Sequence, residues 1–246
     1  MAIPNQTISI QDPGLGLVEP AQNIPLIMGT SSTGTDDAVV QLETIGAAIA
    51  EFGNGPMVEF VTRQLLVSGG PVLAMKLLAS TVGVNGAETQ SGTGPLITIA
   101  GAPFDSYDAV VTVVVGGILG AGTFTYTLDG GTSVSGVLVI PAGGSFPIPE
   151  TNITITFPAG TYVAAETYSW TSTEPLNTTS DIAAGFTALG LLNVTYDYIT
   201  LSTTFATAAA AAAQFTANGA HAATLFNDFE YTRILQDSGP DDDAAT

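Results

Sequence analysis

Cysteine is absent from all 246 residues, which removes disulfides, zinc–thiolate sites and thiol nucleophiles together. Basic residues are almost absent. Arg63, Lys76 and Arg233 stand against 22 acidic residues, for a formal net charge of −19. Nucleic-acid binding needs clustered lysine and arginine to neutralise phosphates and release counterions, so three scattered cations exclude it. Anionic membrane surfaces are disfavoured for the same reason. The one histidine, His221, sits in an alanine-rich stretch with nothing local to support a Ser-His-Asp triad, and reads as a surface or helix-packing residue. Long apolar runs are missing too. The best stretch, AVVTVVVGGILGAG at 109–122, is too short, β-branched and glycine-broken to cross a bilayer. The start, MAIPNQTISIQD, lacks the basic region of a secretory signal, so the chain reads as a soluble product of the cytoplasm.

What is present is apolar and uncharged. Hydrophobic residues make up 46%, charged residues only 10%, and mean hydropathy is +0.40. Much of the surface must therefore be threonine, serine, asparagine, glycine and apolar groups. Halophilic adaptation is one explanation; the other is that copies of the chain pack against each other and cover it.

The pattern along the chain predicts an α+β protein: an α/β core with an all-β sandwich- or barrel-like domain inserted into it. Residues 1–20 form an N-terminal arm in which Ile8 and Ile10 alternate with Thr7, Ser9 and Gln11, a short strand with no partner nearby. The core's first part, 21–88, reads strand–helix–helix–strand: a buried strand at Ile24–Met28, then a helix with Leu42, Ile45, Ile49 and Phe52 at helical intervals. A second helix starts at Pro56 and stops at Gly69-Gly70, and a strand returns over 71–79. Residues 89–175 turn to glycine, threonine, valine and proline, with six strand-length runs separated by turns. In TFTYTLDGG, Phe124 and Tyr126 alternate with Thr123, Thr125 and Thr127, and Asp129-Gly130-Gly131 supplies a tight hairpin turn. The core resumes over 176–246 as helix–strand–helix. Thr178, Thr179 or Ser180 can cap the first helix, and Asp181 suits its dipole. The alanine-rich helix that follows is interrupted by Gly219, and EYTRILQ reads as a last strand before an acidic tail.

Chemistry is scarce. Asp36-Asp37 and Asp241-Asp242-Asp243 lack calcium-loop spacing and read as solvated loops, and Asp105 and Asp108 read as turn residues. The glycine stretches DPGLGLVEP and VVGGILGAG lack the strand, lysine and helix of a nucleotide loop. No catalytic residue, metal ligand or cofactor site emerges.

The order of these segments resembles phage contractile tail sheath proteins. The resemblance is carried by MAIPNQTISIQDPGLGLVEP, IPLIMGTSSTGT and EFGNGPMVEFVTRQLLVSGGPVLAMKL. It continues in the β segment from Gly122 through TYSWTST and in EPLNTTSDIAAGFTAL. Family members run on past this length, so the match is to an N-terminal portion or a shortened form. The resemblance implies a non-enzymatic virion component, made and assembled in the host cytoplasm. Such subunits form a helical jacket around the inner tail tube, between baseplate and tail terminator proteins, and contract to drive the tube through the host envelope. It also implies that an arm, here Ile3, Thr7, Ile8, Ser9, Ile10 and Gln11, donates a strand to a neighbour, held by main-chain hydrogen bonds. With −19 per copy, like-charge repulsion predicts assembly that strengthens with salt. An acidic surface-layer or adhesin-like β-protein is the competing reading, and an enzyme with a carboxylate pair in a cleft is the third.

Overall fold

The structure is a computed structural model that describes residues 24–192, 194–205, 207–227 and 233–236. It is mixed α and β. The first strand, β1 (Pro25–Gly29), is buried at every position, as a short apolar run inside a parallel sheet must be. β2 (Val39–Leu42) follows, then α1 (Ile45–Phe52), whose start is capped by the Thr44 side chain accepting from the Ala47 N–H at 3.2 Å. The expected helix through residues 36–53 is thus a strand plus a shorter helix. Leu42, Ile45 and Phe52 share helical spacing because all three feed one core cluster, while β-branched Val39 and Val40 pair with the next strand. α2 (Pro56–Ser68) begins with its proline in the first turn and ends at Gly69 in the left-handed conformation, as predicted. β3 (Val72–Lys76) then runs parallel to β1, with Leu73 opposite Leu26, and antiparallel to β2.

Nine strands follow before the next helix. β4 (Val84–Asn85), β5 (Thr89–Ser91), β6 (Thr98–Ala100), β7 (Asp108–Val115) and β8 (Thr123–Thr127) come first. β9 (Leu138–Val139), β10 (Ser145–Ile148), β11 (Ile153–Thr156) and β12 (Thr167–Thr173) complete the set. They form a six-stranded sheet, β4-β12-β7-β8-β9 with β5 also on β12, and a three-stranded sheet, β10-β11-β6. A single cluster lies between them, with Phe124 at its centre. Its ring is 5.0 Å from Phe157 and 5.2 Å, edge-on, from Phe146. β4, β5 and β10 escape the sequence pattern because they are two to four residues long with little burial. The predicted tight hairpin is also corrected. β8 and β9 pair only through Thr123–Val139 and Phe124–Leu138, and the chain between them loops out. Gly130 and Gly131 do have positive φ, but the Gly130 N–H donates to the Asp108 carbonyl on β7 rather than closing a two-residue turn.

α3 (Thr179–Leu189) opens with a capping box: Thr178 and Asp181 each accept from the other's backbone N–H. β13 (Tyr198–Leu201), α4 (Ala208–Asn227) and β14 (Arg233–Gln236) complete the described chain. α4 runs unbroken through Gly219, because continued backbone hydrogen bonding outweighs the roughly 1 kcal/mol helix cost of a single glycine. The core sheet is ordered β14-β13-β1-β3-β2, parallel except for β2. Among the described residues, no helix is long and apolar enough to cross a membrane.

Candidate functional site

The two connections between the core sheet and the nine strands are fastened to each other. The Thr81 N–H donates to the Leu176 carbonyl at 3.2 Å, and the Leu176 N–H returns the bond at 2.9 Å. Asn177 donates through Nδ2 to the Leu78 carbonyl at 2.6 Å and accepts from Thr203 Oγ1 at 2.8 Å. The cap residue Asp181 serves a second purpose here, taking Ser80 Oγ at 2.6 Å and the Ser80 N–H at 3.2 Å. These bonds hold its carboxyl below the usual range in spite of burial.

Beside this junction lies a seam of acids. Asp105, in the loop between β6 and β7, faces Glu174 at the end of β12 and Glu59 on α2. Its loop is pinned to β12: Ser172 Oγ accepts from the Tyr107 N–H at 2.9 Å and donates to the Asp105 carbonyl at 3.3 Å. Burial, followed by the charges of Glu59 and Glu174, pushes the Asp105 carboxyl up to about 7, while the Ser106 N–H at 2.7 Å pulls the other way. Asp105 and Glu174 are thus two neighbouring carboxyls that burial pushes toward the protonated form. Glu174 is itself raised by burial and tied to the core through Thr204. Tyr107 is pushed up by burial and by the charges of Asp105, Glu59 and Glu150. Clefts of about 890, 470 and 510 Å³ meet here, and Glu59 and Asp105 line all three. Arg63 lines two of them.

Chemically, the seam is a set of crowded carboxyls in which burial favours the neutral form of Asp105 and Glu174. The described residues contain no cluster of acids and histidines able to hold a metal. His221 lies elsewhere, its ring stacked on Phe186 at 4.4 Å, with burial lowering its basicity. Asp36, expected in a solvated loop, is ion-paired with Lys76 at 3.0 Å. Asp37 beside it is raised by burial and by Asp36 and Asp181. Asp108 stays at the surface, while Asp105 is not the simple turn residue its neighbours in sequence suggest. Glu174 escapes the sequence reading altogether. Only the register of β12 on β7, with Thr171 opposite Asp108, brings residues some seventy positions apart to one seam.

The arm residues Ile3, Thr7, Ile8, Ser9, Ile10 and Gln11, and the acidic tail with Asp241–Asp243, lie outside the described residues. The core sheet such an arm would meet can be described. β14 pairs only with β13, and β2 only with β3, so each presents an outer edge with no strand against it among the described residues.

No protein-family model matches the chain, and no curated protein matches it. Two similar solved structures are both described as sheath tail proteins. One, from Listeria innocua, is 9% identical with a TM-score of 0.38, covering 84% of this chain and 46% of its own. The other, from Desulfitobacterium hafniense, is 14% identical with a TM-score of 0.44, covering 94% of this chain and 52% of its own. The chain therefore spans about half the length of each of these two sheath tail proteins.

Proposed function

We propose that this chain is a structural, self-assembling subunit of a contractile phage tail sheath. In this reading it forms a helical jacket around the inner tail tube, contacts baseplate and tail terminator proteins at the ends, and contracts to drive the tube through the host envelope. It would be assembled in the host cytoplasm and reside in the virion tail. The division into arm (1–20), core (21–88 and 176–246) and inserted β domain (89–175) belongs to the same proposal. The observation that carries it is the core sheet with both outer edges unpaired among the described residues, in a chain whose first residues carry an alternating strand pattern. An unpaired edge is a ready template for another strand, and proteins that do not use one normally cover or charge it. β2, with the sequence Val-Val-Gln-Leu, carries no charged residue, so it lacks that protection. An arm paired over five or six residues would contribute several kcal/mol at about 1 kcal/mol per hydrogen bond.

The test is electron microscopy of the purified chain, with and without residues 1–11. Helical tubes or stacked rings that disappear on deletion are the expected result. A wild-type chain that stays monomeric at high concentration removes this reading and leaves the surface-layer or adhesin-like one.

A further inference from the structure

Among its described side chains, α4 docks through a single stripe. Ala211, Gln214, Asn218 and Leu225 are buried, and His221, partly buried, falls on the same side of the helix. A docking stripe of this kind is normally apolar, yet here Gln214, Asn218 and His221 are polar. The two amides tie α4 to the edge strand β14. Gln214 Nε2 donates to Asn218 Oδ1 at 2.8 Å, and Asn218 Nδ2 donates to Gln236 Oε1 at 2.6 Å. Gln236 Nε2 in turn donates to the Ala211 carbonyl at 2.8 Å, so helix and strand form one unit.

The stripe is incompletely satisfied. Gln214 Oε1 and His221 Nε2 are both buried with no hydrogen-bond partner. The imidazole lies flat on the Phe186 ring of α3, with centroids 4.4 Å apart and planes 16° from parallel. A cavity of about 290 Å³ adjoins it, lined in part by Thr187, Thr224 and the exposed Leu191. Both hydroxyls there are turned to their own helices, donating to the Ala183 and Ala220 carbonyls at 2.9 and 3.1 Å. Carboxylates are missing from the joint. The described part of α4 and the turn at 190–192 carry no charge, and Asp181, the one charged residue of α3, is held in the first turn by Ser80 and Thr178. Tyr198 on β13 and Arg233 on β14 do not shift the imidazole either; burial alone lowers its basicity. Asp228 and Glu230 lie outside the described residues.

We infer that the contact between α3 and α4 is an acid-sensitive joint, in which protonation of His221 releases α4, together with β14, from α3. A neutral imidazole can lie against Phe186 as a flat, weakly polar ring. The imidazolium must donate from both nitrogens, and the joint offers Nε2 no acceptor and the charge no carboxylate. The face of Phe186 attracts a cation only weakly compared with water. α4 is the element that gives way, because its docking stripe is short of apolar side chains and already holds an unpaired Gln214 oxygen. α3 is anchored by its capping box and by Ser80. Once released, the ring regains its ordinary value of 6.5, so opening takes up a proton below that pH. The joint is therefore tightest above 6.5 and loosens as pH falls, while burial of Asp105 makes the junction tighten over the same interval. This inference goes beyond the sheath reading and does not rest on it.

Hydrogen exchange read by mass spectrometry on the full chain, at about pH 7.5 and about pH 5.5 and corrected for the intrinsic pH dependence of exchange, tests the joint. Acidification should raise opening of α4 and β14 about threefold or more relative to β7 and β8. His221→Phe keeps a ring against Phe186 but cannot be charged, and should abolish the rise. Because the chain has one histidine, its ring signal in NMR gives the titration directly, expected below 6.5. If His221→Phe fails to fold, that titration and the wild-type exchange decide. Protection of α4 that tracks β7 at both pH values, a folded His221→Phe chain with the same rise, or a ring that titrates at or above 6.5 overturns the inference.

Discussion

Asp105 makes the core's attachment to the nine-stranded region sensitive to pH, with a definite sign. In the unfolded chain its carboxyl loses its proton near 3.8; in the native protein burial and the neighbouring acids hold it to about 7. Between those values the native state keeps a proton that the unfolded state has released, so stability falls as pH rises and the loss is complete above about 7. At about 1.36 kcal/mol per tenfold change in acidity, that interval corresponds to about 4 kcal/mol; partial solvent contact reduces it to about 2 kcal/mol. Asp181 and Glu166 have lowered carboxyls, and the stability they contribute is lost only as pH falls into the acid range, below the interval of interest. His221 works in the opposite direction near neutrality, since burial favours its neutral form. Subtracting the Asp105→Asn variant from wild type cancels it. Urea titrations at pH 5, 6, 7 and 8 are the assay. The asparagine side chain is uncharged, like the protonated acid, so the two proteins should have similar midpoints at pH 5. Two of the roughly three pH units of loss lie above pH 5, about 1.3 of the 2 kcal/mol, so by pH 8 the variant's midpoint should be higher by about 0.4 M, taking a slope of about 3 kcal/mol/M. Equal midpoints at pH 8, or a difference that does not change with pH, would refute the account of a retained proton.

Four further perturbations probe other parts of the fold. Gly101→Ala places a Cβ against the Asn152 carbonyl at a φ of +106°, and should cost more than about 2 kcal/mol in chemical denaturation. Gly219→Ala, in an exposed turn of α4 with open space around it, should instead raise stability by up to about 1 kcal/mol in the same assay. Thr178→Ala removes half of the α3 capping box and should cost about 1 kcal/mol, read as a lower urea midpoint at neutral pH. Assembly followed by light scattering should strengthen as salt rises from about 0.05 to about 0.5 M, because screening relieves repulsion between copies beyond about 8 Å; salt-independent assembly would remove charge as the opposing force.

What could be read from the chain depended on whether a residue's neighbours in space are its neighbours in sequence. The ends of α2 were legible because Pro56 and Gly69 act on their own turns, and the start of α3 was narrowed to Thr178, Thr179 or Ser180, of which Thr178 is the cap. β7 and β12 were legible because seven or eight residues of alternation reflect one buried face. β2 was not. Leu42 lies at helical distance from Ile45 while being held by Val72 on another strand, and periodicity records burial without recording which element provides it. The hairpin failed for a related reason, since Gly130 answers to Asp108 on β7 and not to its partner across a turn.

The same distinction applies to the acids at the junction. Asp105, Glu174 and Glu59 look like ordinary surface acids in sequence; strand register and the packing of α2 make them a seam, and there burial raises the carboxyls of Asp105 and Glu174. Strand register and helix packing, rather than local sequence, thus decide which of the chain's 22 acidic residues are crowded against the junction and which stay in solvent.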